Sequence, residues 1–288
     1  MSTWERLGAV NAEPFLDARL QLHWAAQIAA APGKQLLPPQ PDGSEQSFQW
    51  DAAAGALTQG TVTAPRPFRS ALRPAALSLA LLDEGGSALA ELPLAGRTLD
   101  AGYAWLTKEL ETLLGRSLAR PLDRLCSADG LPAHPVETGA PFSGIPPEAY
   151  VEVARWYANA DRLLRAVQTA NPEASPVRCW PHHFDLATLL TLDPGMDAES
   201  ARSIGVGLSP GDAGDIGRPE PYFYVTPWPY PKSPALPSLA GGGSWNTEGW
   251  LGAVLEARAF VGGADQEGQV RDFLESAIAA ARRLIDTA

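Results

Sequence analysis

Four stretches of this chain repeat apolar residues at the three- and four-residue spacing that puts them on one face of a helix, and the runs between them are short and punctuated by Gly, Pro and Asp. In chain order the pattern reads helix, about four strands, helix, and then the same again. Strands that cluster between helices, rather than alternating with them, pair with their sequence neighbours. The expected fold is therefore α+β, with two antiparallel β regions each flanked by long helices. No residue-level repeat accompanies the recurrence, so a duplication is expected only as topology.

The first helix is expected over residues 12–31, with Asn11 as its cap and Pro14 in its first turn. Leu16, Leu20, Trp24 and Ile28 form its buried stripe, and His23 and Gln27 are neighbours at the stripe's edge. A loop follows over 32–45. Strands are expected at 47–50, 57–63, 75–82 and 88–94, the last two joined by a turn at 83–87. A helix capped by Thr98 or Asp100 runs to Leu114 and ends at Gly115. Prolines 121, 132, 135, 141 and 146 make 115–146 a linker, so the 288 residues read as one compact domain of two similar halves, about 1–120 and 141–288. The second half is expected to hold a helix over 147–170, strands at 180–192, 203–208, 222–228 and 250–257, a proline loop at 227–237, a flexible glycine loop at 241–243 and a terminal helix from Asp265 or Gln266.

Composition narrows the function. Hydrophobic residues at 45% and charged residues at 19% are the balance of a folded protein and not of a disordered one. A net charge of −11 argues against a surface that tracks phosphates, and an acidic membrane face would repel the chain. No window approaches the roughly 18 apolar residues of a spanning helix and the N-terminus carries no leader pattern, so a cytoplasmic protein with neither nucleic-acid nor membrane partners is expected. Cys126 and Cys179 lack CxxC companions and read as buried small apolar groups.

The chemistry-bearing stretch is 178–190, which places Trp180, His182, His183, Phe184 and Asp185 at the mouth of an apolar run. If 180–192 is extended, His183 and Asp185 point to one side and could hold a divalent metal, completed by His182 or His23; equally, Asp185 could fix the tautomer of a structural histidine. Ser209 stands in a G-x-S-x-G string, but Pro210 removes the N–H an oxyanion hole would use, and a plain turn is expected there. Gly205 and Gly207 read as a packing feature. Trp180, Tyr222, Tyr224 and Trp228, with Tyr230, Trp245 and Trp250, suit either the wall of a small-molecule pocket or an aromatic core.

Five segments together resemble a family of uncharacterised bacterial proteins, a domain of unknown function. They are Leu22-His23 with Gln27, Leu92-Pro93-Leu94, Ala160-Asp161-Arg162, the string from Trp180 to Ala187, and that from Glu220 to Val225. The resemblance spans nearly the whole chain and implies no reaction, but it singles out His23, Gln27 and Asp185.

Two function classes follow. One is a binding or scaffold protein with a small-molecule pocket built from His23, Gln27, Trp180, His182, Tyr222, Tyr224 and Trp228. The other is a metal-assisted hydrolase or related enzyme using His182, His183 and Asp185. Both expect His23, Gln27, His182, His183 and Asp185 to converge, because buried polar groups from distant segments need partners. The oligomeric state is left open.

Overall fold

The computed structural model describes residues 3–196, 200–212, 218–231 and 235–286, so residues 232–234 of the expected proline loop lie outside the described residues. The fold is α+β, with 38% helix and 22% strand. Five strands, β1 (Gln49–Asp51), β2 (Ala56–Thr58), β3 (Arg69–Arg73), β4 (Ser78–Leu82) and β5 (Ala88–Pro93), form one sheet in sequence order. The other sheet runs β10-β11-β9-β8-β7-β6, from β6 (Arg178–Trp180), β7 (Asp185–Thr191), β8 (Ser203–Ser209), β9 (Tyr222–Trp228), β10 (Ser244–Asn246) and β11 (Gly252–Glu256). Helices α1 (Ala12–Leu36), α2 (Leu99–Leu114), α3 (Pro147–Ala170), the single turn α4 (Ala257–Phe260) and α5 (Gln266–Asp286) surround them in sequence. Among the described residues no helix is long and apolar enough to cross a membrane.

The chain divides into two compact units. The first comprises Val10–Ala158 and Cys179–Phe184; the second comprises Met1–Ala9, Asn159–Arg178 and Asp185–Ala288. Helix α3 therefore belongs half to each.

In the first unit α1 packs against β3, β4 and α2, with Leu22, Trp24 and Ile28 fully buried. Gly102 lets α2 approach: a Cβ there would lie 2.7 Å from the Ile28 side chain. Thr98 caps α2 by accepting from Ala101 N, and Gly115 ends it in the left-handed region. Helix α1 runs one turn beyond the expected end, through Pro32. Pro32 removes the N–H that would donate to Ile28 O, and around it the Gln59 amide braces the turn, accepting from Gly33 N at 2.9 Å and donating to Ala30 O at 3.0 Å. Asn11 sits at the cap position without a side-chain bond. The expected strand 75–82 divides, since Pro74–Ala76 is a 3-10 turn between β3 and β4. Cys126 is exposed, contrary to expectation, whereas Cys179 is buried.

In the second unit α5 packs against β8, β9 and β11 through Val270, Phe273, Leu274 and Ala277. The glycine run is packed rather than loose: a Cβ on Gly241 would meet Gln269 O at 2.2 Å, and one on Gly243 would meet the Phe273 ring at 2.4 Å. This close approach leads the chain into β10, a strand the sequence did not announce.

Candidate functional site

The stretch around His182 is not one long strand. β6 ends at Trp180, and Pro181 to Phe184 form a turn closed by Phe184 N donating to Trp180 O at 2.6 Å, with Phe184 in the left-handed region at φ 57°. The two-residue alternation assumed for His183 and Asp185 therefore does not apply. His182 and His183 are exposed on the turn with ring centroids 4.3 Å apart, and Trp180 lies 6.0 Å from His182.

Within the first unit His23 and Gln27 both reach this turn. The His23 Nε2 lies 2.9 Å from Pro181 O, and Gln27 Nε2 donates to the same carbonyl at 2.6 Å. His23 stacks on Phe184 at 5.2 Å, and Tyr157 donates its hydroxyl to Phe184 O. Burial pushes His23 down to about 4, against the Pro181 carbonyl, which favours the protonated ring. His182, though exposed at its surface, is lowered by the partial desolvation of its ring and by the neighbouring His183. What joins these polar groups is thus a backbone carbonyl. Among the described residues no group of three or more His, Cys, Asp and Glu side chains is placed to hold a metal.

Asp185, Tyr222, Tyr224 and Trp228 belong to the second unit. Tyr224 donates to Asp185 Oδ2 at 2.6 Å, its ring passing over Gly207, where a Cβ would lie 2.6 Å from the ring. Two residues along, Tyr222 donates to Asp212 at 3.0 Å, and the Ser209 hydroxyl lies 3.4 Å from the same carboxylate. Both phenols are raised above the usual tyrosine value, first by burial and then by the adjoining carboxylate. Ser209 is the last residue of β8, and among the described residues no turn follows it; its hydroxyl accepts from Gly211 N at 3.2 Å. Trp228 is exposed and packs edge-on against Tyr230 at 5.5 Å.

Asp212 also borders a cavity of about 450 Å³, lined with it by Arg218, Glu220, Asn246, Glu248, Trp250, Glu256 and Arg258. The cavity lies along β11. In its lining the Glu256 carboxylate takes Arg218 Nε on Oε1 at 3.0 Å and Arg258 on Oε2. Asn246 Oδ1 holds Arg218 Nη2 at 2.9 Å, while the Asn246 amide donates to Glu248 O and Trp250 O. The Trp250 ring lies on Gly252, where a Cβ would sit 2.0 Å from it. The backbones of Asp212 and Arg218 pair through Asp212 N to Arg218 O at 2.6 Å. Side chains positioned by one another in this way offer a preorganised surface to a ligand.

Sequence reasoning missed Arg218, Asn246 and Glu256 because their contacts cross 28 and 38 residues. The one local signal was Gly252, two residues after a tryptophan. No family model matches the chain, and neither a curated protein nor a solved structure matches it.

Proposed function

We propose that this chain is a cytoplasmic small-molecule-binding protein whose ligand site is the cavity along β11. The observation that carries the reading is the cavity itself: at about 450 Å³ it falls in the range of ligand pockets, roughly 300–1,000 Å³, and its polar groups converge beside one indole face. The expected aromatic residues take a supporting part, since Tyr222 fixes Asp212 and Asp212 lines the cavity.

The test is an indole NMR screen of the full chain. The Trp250 Nε1–H resonance is assigned by its loss in Trp250→Phe, and small cationic, anionic, zwitterionic and neutral fragments are added. A fragment should move that resonance and leave unchanged that of Trp24, whose indole donates to Pro132 O in the first unit. If no fragment of any class moves it, the cavity is not a ligand site.

A further inference from the structure

Resting on the cavity along β11 being a ligand site, we infer that its ligand is a small zwitterion of the amino-acid class, with a free carboxylate and a free ammonium in one molecule.

The cavity carries both signs of charge, from Arg218 and Arg258 and from Asp212, Glu220, Glu248 and Glu256. Two guanidiniums, Arg218 and Arg258, share the single carboxylate of Glu256, one on each oxygen. Arg218 is fixed further by Asn246, so among the described residues its Nη1 is left without a hydrogen-bond acceptor. Arg258 is largely exposed and keeps most of its fork available. The free Arg218 Nη1 and the Arg258 fork offer donors to an incoming carboxylate.

Glu220 and Glu248 line the same cavity, yet their carboxylates make no hydrogen bond and no ion pair among the described residues. They are the carboxylates of this lining left open to an incoming cation. Beside them stands the Trp250 ring, pinned onto Gly252, with its indole N–H unused among the described residues. Carboxylates together with an aromatic face are what an ammonium requires.

A ligand that satisfies both poles must carry both charges on a short frame. A simple cation would answer the glutamates and face two guanidiniums; a simple anion would do the reverse. A neutral polyol would cancel neither pole, although every ionisable group here could hydrogen-bond to it. Only the zwitterion offers a partner to both sets of charges.

The experiment titrates the full chain with leucine, with isoamylamine (leucine without its carboxylate), with isocaproate (leucine without its ammonium) and with glucose, following the Trp250 indole resonance. Leucine should bind at least tenfold tighter than either singly charged analogue. Glu248→Gln, at an exposed site, should weaken leucine and isoamylamine and leave isocaproate unchanged or tighter. Arg258→Gln, also exposed, should weaken leucine and isocaproate and leave isoamylamine unchanged. If isoamylamine, isocaproate or glucose binds as tightly as leucine, the zwitterion inference is overturned while the cavity remains a ligand site. Silence towards all four probes, with another fragment of the screen moving the resonance, also overturns the inference alone; silence towards every fragment removes the site as well.

Discussion

His23 couples the first unit to pH. Its folded value of about 4 lies below the ordinary 6.5, so the unfolded chain takes up a proton that the folded unit refuses. The contribution to stability is full above pH 6.5, falls between 6.5 and about 4, and is constant below that; a shift of this size corresponds to about 3 kcal/mol. Denaturant melts at pH 7 and pH 4 should show His23→Gln losing about 3 kcal/mol less than the wild type over that interval, and parallel losses would contradict it. Gly207 makes a different kind of demand. Its backbone is ordinary strand, but an alanine at this position would place a methyl against the Tyr224 ring and displace it from Asp185, at a cost of about 1–3 kcal/mol. The measurement is the stability of Gly207→Ala beside Tyr224→Phe. The glycine variant should be the less stable, because it adds overpacking to the lost hydrogen bond.

At the scale of elements, α2 and α3 were legible because their signals are local: a threonine cap, which the sequence left open against Asp100, a left-handed glycine stop, a proline in the first turn. The end of α1 was not. Pro32 announces a stop, yet the helix continues, and Gln59, 27 residues away along the chain, supplies a donor and an acceptor to the turn around it. In Gln59→Ala the buried Gly33 N–H and Ala30 carbonyl lose those partners, so the unit should be destabilised by at least about 2 kcal/mol, and the Gly33 amide should exchange faster with solvent. Unchanged exchange at Gly33 would mean that the turn holds without the splint. The same contrast separates β7, whose strict buried-and-intermediate alternation can be read from its residues, from β10, a three-residue strand that exists because Gly241 and Gly243 pack on α5.

At the scale of the molecule, the second unit is assembled from three separate pieces of chain, and its first piece is the N-terminal segment. Two buried amides hold that segment by its backbone. Asn159 accepts from Glu5 N at 2.9 Å and donates to Glu5 O at 2.7 Å. Gln266 accepts from Leu7 N at 2.9 Å and donates to Leu7 O at 3.0 Å. Gln266→Ala should therefore cost about 2–3 kcal/mol in the second unit and expose the Leu7 amide to exchange, which hydrogen-exchange mass spectrometry of the N-terminal segment would read. Protection of Leu7 equal to the wild type would show that the segment is held without the amide.

The sequence by itself determined the class of fold and the four long helices, because helical and strand periodicities are properties of near neighbours, but not β3 or β10. It also marked His23 and Gln27 as polar groups needing a partner, though not that the partner would be the Pro181 carbonyl. Only the tertiary structure decided where the chain divides, that the His182 stretch turns after Trp180, and that Arg218, Asn246 and Glu256 meet around a cavity. Those outcomes depend on hydrogen bonds and ring contacts between residues tens of positions apart, and no local pattern encodes which distant group will satisfy a given donor.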